Sequence, residues 1–110
     1  MTYYYILNGH VAVPASIDQW ASWFESADRS VKKSRATVKL EGNPLGFVEI
    51  STVFLGINHQ FGDGPPLLFE TMVFGGPLDG QTDRCSTWEA AEKMHEAMCE
   101  RVKLAAKEVP

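Results

Sequence analysis

Two apolar runs dominate the hydropathy pattern, residues 51–57 (STVFLGI) and 67–74 (LLFETMVF). Between them lies a loop at 59–66 with a histidine, a phenylalanine, an aspartate, two glycines and two prolines. Runs of this length, rich in Val, Ile, Phe and Thr and bounded by Gly and Pro, predict strands. Extending the first run to 47–58 and splitting it by the two-residue repeat of a strand gives two faces. Phe47, Glu49, Ser51, Val53, Leu55 and Ile57 make one; Val48, Ile50, Thr52, Phe54 and Gly56 make the other. The second run divides into Leu67, Phe69, Thr71 and Val73 against Leu68, Glu70, Met72 and Phe74. Both faces are apolar over most of their length, the pattern of strands covered on both sides.

The rest of the chain supplies the partners. Residues 3–13 alternate weakly and are rich in aromatics, predicting a first strand that turns at Asn8-Gly9, a type I′ signal, and stops at Pro14. Ser16 and Gln19 fit a capping box. Ile17, Trp20, Ala21 and Phe24 follow at helical spacing, widened by Trp23 and Ala27, so a helix is expected from Ser16 to about Asp28. Residues 29–35 carry Arg29, Lys32, Lys33 and Arg35, read as a solvated connection or as an anion-attracting rim beside the loop at His59. A short strand at 36–40 turns through the Gly/Asn/Pro-rich 41–46 into the 47–58 strand. After a loop at 75–80, a short edge strand is expected at 81–85. A last helix follows at 87–107, capped by Ser86 (with Glu89) or Thr87. Trp88, Ala91, His95, Met98, Val102 and Ala105 form its inner stripe, with Met94 and Cys99 at the margin.

The order β-α-β-β-(β)-α is that of an α+β two-layer domain spanning 1–110, with an antiparallel sheet and two helices. Two helices packed on one side leave the second apolar face for another subunit. A homo-oligomer follows as the expectation, a dimer before others because C2 is the commonest assembly.

Composition narrows the function classes. A net charge of -4 argues against a DNA or RNA backbone binder, which needs a basic face. It leaves room for a small anionic ligand held by local donors. Cys85 and Cys99 lack metal-site spacing and read as reduced small apolar residues of a cytoplasmic protein. The opening MTYYYILNGH has no basic residue, so no secretion signal is expected, and no run is long enough for a membrane span.

Candidate chemistry concentrates near the 59–66 loop. His59 and Phe61 sit there with Gly62 and Gly64, which permit positive φ and close backbone approach, and Pro65-Pro66 stiffens the exit. A preorganised loop of this kind suits a base, a ribose or a phosphate; its G-D-G lacks the lysine and helix of a Walker motif. Glu70 is a carboxylate in an apolar strand, so it is solvent-facing, paired with a residue such as Arg84, or holds a ligand's hydroxyls. His95 on the inner stripe is a satisfied core residue or meets Glu70 or His59. Trp88 packs in the core or stacks a base. Glu92 and His95 have E-x-x-H spacing, but one copy in a two-helix domain gives no metal site. No Ser or Cys stands in a nucleophile elbow. The expected ligand-binding set is therefore His59, Phe61, Gly62, Gly64, Pro65, Glu70, Arg84, Trp88 and His95, with no cofactor or metal and no assigned catalytic residue.

The segment STVFLGINHQFGDGPPLLFETMVFGGPLDG, followed by RCSTWEAAE, resembles a small protein family encoded by bacteriophages and prophages. Its pattern reads TVFLGxxHx(F/W)GxGPPLLFETM(V/I)FGG, then R(Y)STWxxA and a later Gly-His pair, and WASWFESADRSV is similar to its N-terminal helix. This chain has Cys85 in place of the tyrosine and Met94 in place of the glycine before His95. The resemblance implies a phage setting in a bacterial host's cytoplasm without assigning an activity. Three roles fit it: an oligomeric protein that sequesters a host immune nucleotide signal, an accessory protein that binds only other proteins, and a small hydrolase or phosphodiesterase using His59, Glu70 or His95 as acid and base.

Overall fold

The computed structural model describes residues 3–40, 43–60 and 62–107. The expected Phe61 site and part of the expected 41–46 turn lie outside these residues. The order is β1 (Tyr4–Asn8), β2 (Val11–Ala15), α1 (Ile17–Phe24), β3 (Ser30–Leu40), β4 (Asn43–Phe54), β5 (Phe69–Phe74), β6 (Thr82–Cys85) and α2 (Trp88–Lys107). The strands form two antiparallel sheets, the β1–β2 hairpin and a meander in the order β3-β4-β5-β6. The fold is α+β, as the hydropathy pattern predicts.

Several elements depart from that pattern. The first strand is a hairpin whose central turn residues are Gly9 and His10, since Asn8 pairs with Val11. Gly9 has a φ of 63° and His10 a negative one, the signature of a II′ turn rather than I′. Pro14 does not end the strand but pairs with Tyr5, tolerated because a two-stranded sheet has only edge strands. The capping box at Ser16 and Gln19 forms as expected. The helix it opens stops at Phe24 rather than Asp28, and Asp28 instead accepts a hydrogen bond from the Ser30 amide.

The largest correction concerns residues 29–35. They are not a connection: Ser30 onward belongs to β3, which runs to Leu40 against β4. Its lysines and Arg35 line a free sheet edge, and β6 at the other edge is only four residues long; both features discourage pairing with foreign strands. β4 ends at Phe54 rather than near Asn58. Gly56 follows with a φ of 75°, and a Cβ there would lie 2.7 Å from Trp20 Nε1, so only glycine lets α1 sit this close.

Helix α2 lies across one face of the meander. Val48, Ile50 and Val73 meet Met98, Val102 and Ala106 there, all buried. Ala106 takes the stripe position expected for Ala105. Thr87 caps the helix, its hydroxyl accepting from the Ala90 amide at 3.1 Å. α1 rides on the β1–β2 hairpin, and together they close the Phe54 end of the same face. Trp23 meets Phe54 edge-on at 5.7 Å, and Leu68, Phe69 and Ala91 complete this second cluster.

The opposite face stays open in the single chain. Phe47 and Phe74 are 65% and 48% exposed. It is also more polar than expected, because β3 adds Lys33 and Arg35, and two ion pairs cross it: Arg35 with Glu49 and Arg84 with Glu70, both at 2.9 Å. The β3–β4 ladder extends past the last β5 pair to Leu40 and Asn43. That projection gives a radius of gyration of 16.0 Å, where a compact chain of this length would have about 13 Å.

Candidate functional site

The expected ligand-binding residues occupy four separate places. The 59–65 loop is fastened from within: Asn58 Oδ1 accepts from the amides of Gln60 at 2.8 Å and Leu67 at 3.2 Å. Gln60 Nε2 also donates to the Pro65 carbonyl, and the His59 amide donates to Leu67. The His59 and Gln60 amides are thus spent on the loop itself. Gly62 takes a φ of 88°; Gly64 has an ordinary φ, and a Cβ there would strike the Gln60 side chain. Glu70 and Arg84 do meet, but on the open face, away from α2. Trp88, at the start of α2, is stacked by His10 at 3.8 Å between ring centres and 5° between planes. These two rings, with Thr87 and Glu89, line a cavity of about 190 Å³.

His95 meets neither Glu70 nor His59. Its side chain is buried under α2, with Ser34 Oγ 2.8 Å from Nε2 and Thr52 Oγ1 2.7 Å from Nδ1. Thr52 in turn hydrogen-bonds Thr71, and both threonines are fully buried. The register explains the chain of contacts. Ser34 pairs with Ile50 next to the Lys32–Thr52 pair, and Thr52 stands opposite Thr71, so the three hydroxyls lie on neighbouring strands of the covered face. His95 is the stripe residue above them. Two proton orders satisfy the links together: Ser34 donates to Nε2, Nδ1–H to Thr52 and Thr52 to Thr71, or the reverse, with Thr71 donating to Thr52, Thr52 to Nδ1 and Nε2–H to Ser34. Burial holds the imidazole below the ordinary histidine range; Glu96 opposes this shift and Lys32 adds to it. At neutral pH His95 is uncharged.

This chain of hydroxyls reaches solvent between β3 and α2. A cavity of about 210 Å³ opens there beside Ser34, with Lys32, Glu96, Cys99 and Lys103 in its wall. Lys32 and Glu96 form an ion pair from strand to helix, which raises the lysine's pKa and lowers the glutamate's. The same pair borders a wider hollow of about 530 Å³ whose wall adds Glu89, Glu92 and Lys93. The two cavities form one groove divided by an ion pair. Cys99 is half-buried, and burial pushes its thiol up while the Ser34 hydroxyl beside it pulls the other way. Among the described residues no cluster of three His, Cys, Asp or Glu side chains comes together to hold a metal ion.

The basic segment at 29–35 is divided by the strand pleat. Arg29 stacks on Phe24 at 4.1 Å and donates to the Phe54 carbonyl, Arg35 covers Phe47 on the open face, and Lys32 alone closes on α2. Ser34, Thr52 and Thr71 are the site residues that sequence reasoning missed. The available signal was a threonine on the apolar face of each of two adjacent strands, together with a histidine on the helix stripe that must cover them.

No helix among the described residues is long and apolar enough to cross a membrane.

Comparison with protein-family models, curated proteins and solved structures finds no match, so the functional reading starts from this geometry.

Proposed function

We propose that the chain binds a small nucleotide-type ligand in the β3–α2 groove and holds it without cleaving it. The observation that carries the reading is the opposed chemistry of the groove's two ends. Lys32 and Lys103 offer cations to a phosphate at the inner end. Glu89 and Glu92, beside Lys93, offer acceptors to ribose hydroxyls or base amino groups at the outer end. A nucleotide carries the same opposition along its length. The ion pair between Lys32 and Glu96 is exposed, and exposed pairs cost little to open, so a phosphate can take the lysine.

In the phage setting implied by the resemblance, such a protein sequesters a host immune nucleotide in the bacterial cytoplasm. The chain acts as a homodimer whose copies meet through the open sheet face, where Phe47 and Phe74 are exposed. The two ion pairs at opposite ends of that face supply both signs of charge for a self-complementary contact.

The test combines thermal shift with chromatography on a panel of cyclic and ADP-ribose-derived nucleotides. A ligand at 100 times its Kd stabilises the fold by about 2.7 kcal/mol. The expected result is a shift with the ligand recovered intact after denaturation, lost in a Lys32→Ala/Lys103→Ala variant and kept in Arg84→Ala. A product peak, or silence across the panel, would overturn the reading.

A further inference from the structure

From the same cavity we infer a second capability, which goes beyond nucleotide binding: Ser34 is a nucleophile, with His95 as its general base, toward small activated carboxylic esters. The geometry is that of a hydroxyl–imidazole–hydroxyl relay. Ser34 Oγ lies 2.8 Å from His95 Nε2, and Thr52 Oγ1 fixes the far nitrogen from 2.7 Å. A nucleophile and base within hydrogen-bond reach, with the base oriented by a third group, is the general arrangement for covalent catalysis. Ser34 is half-buried and borders a cavity of about 210 Å³, which admits a short acyl group. Lys32 and Lys103 in the same wall supply positive charge where an oxyanion would form.

The step balances without a cofactor. Ser34 Oγ attacks the ester carbonyl and its proton passes to His95 Nε2. The bond to the leaving oxygen breaks, that oxygen takes the proton from Nε2, and the acyl group remains on Ser34. Water, deprotonated by the same nitrogen, then releases the carboxylic acid and restores the hydroxyl. The third member is a neutral threonine where hydrolytic triads carry a carboxylate. Removing that charge in a triad costs about 10⁴ in rate, so the activity is confined to esters with good leaving groups and is slow to turn over.

The experiment treats the purified full chain with 4-nitrophenyl acetate and, separately, with a fluorophosphonate probe. Intact mass and peptide mapping then locate the adduct. The expected result is one acetyl or phosphonyl group on Ser34, absent in a Ser34→Ala variant whose circular dichroism shows it folded. The wild-type labelling rate should rise with pH as His95 loses its proton and level off before the ordinary value of 6.5 is passed, since burial holds the imidazole below it. The titrating groups around this imidazole are Lys32 from β3 and Glu96 and Cys99 on α2; β4 and β5 present only threonine hydroxyls. The pH profile reports on the base without an altered core, so it holds even where His95→Asn fails to fold. No adduct, an adduct confined to Cys99 or surface lysines, or a rate indifferent to pH would overturn the inference. The ester probe carries no phosphate, so its outcome is independent of nucleotide binding.

Discussion

The covered and open faces of the meander are built from alternate residues of the same strands, yet they handle polarity in opposite ways. On the covered face the polar groups are neutral and joined end to end: Ser34, His95, Thr52 and Thr71. On the open face they are charged and paired two by two, Arg35 with Glu49 and Arg84 with Glu70. Desolvation accounts for the difference. An ion buried under α2 would cost several kcal/mol, whereas a hydroxyl with its partners in place costs almost nothing. The covered face is therefore the one where each polar group depends on its neighbours.

The sharpest way to break this comparison is to remove a large side chain from each face. Phe54 is fully buried and Phe47 is 65% exposed. Phe54→Ala should cost about 3–5 kcal/mol, while Phe47→Ala should change the stability of the single chain by less than about 0.5 kcal/mol. Urea titration with an unchanged slope would establish both values. Similar losses at both positions would mean that the open face is not open.

Next in size is the hydroxyl chain. Thr52→Val strips His95 Nδ1 and Thr71 of a partner at once, and about 1–3 kcal/mol should be lost. Thr71→Val leaves Thr52 bonded to the imidazole and should cost less. The double variant should cost less than the sum, since the second change removes a group already orphaned by the first. Strict additivity would show that the three groups do not act as a unit.

A smaller and more selective effect comes from pH. His95 binds its proton more weakly in the folded chain than in the unfolded one, because burial penalises the charged ring. The unfolded chain therefore takes up protons first as pH falls below the ordinary value of 6.5, and stability declines until the folded imidazole protonates as well. Above 6.5 the contribution is complete. The Glu49 carboxylate of the open face behaves differently: Arg35 holds it below its ordinary 4.5, so its contribution fades only in more acidic solution. Denaturant midpoints measured between pH 7 and 5 should fall in the wild type. A flat profile across that interval would contradict the buried-imidazole account.

These contrasts also mark what could be read from sequence. The α+β class, the β4 and β5 strands, the α2 stripe from Ala91 to Val102 and the Ser16 cap all follow from periodicity and capping, which are local properties. The strand at 36–40 is legible, but the first half of β3, residues 30–35, was hidden because Lys32, Lys33 and Arg35 resemble loop composition until the edge position is known. α1 ends at Phe24, and Asp28, read as its last residue, serves the Ser30 amide beyond the helix. The site was less legible than the fold. His95 was visible as a histidine on an apolar stripe, and Arg84 was a predicted partner of Glu70. Ser34, Thr52 and Thr71 come from three strands, and their adjacency is a matter of register, set by pairing rather than by any spacing along the chain.

The smallest expected effect tests the open face itself. Glu70 pairs with Arg84 through Oε2 and Nε at 2.9 Å; the glutamate side chain is 14% exposed and the arginine 39%. In a single chain water reaches this pair, and a double-mutant cycle of Glu70→Gln and Arg84→Ala should return a coupling of about 0–1 kcal/mol. If two copies close over the face, the pair loses its water, and removing one partner strands a charge at a cost of about 3–5 kcal/mol. The same cycle run across a protein dilution series therefore separates the states, with light scattering giving the mass at each concentration. A coupling that grows with the dimer fraction would identify the open face as the interface; one that stays small while the mass doubles would move the interface elsewhere.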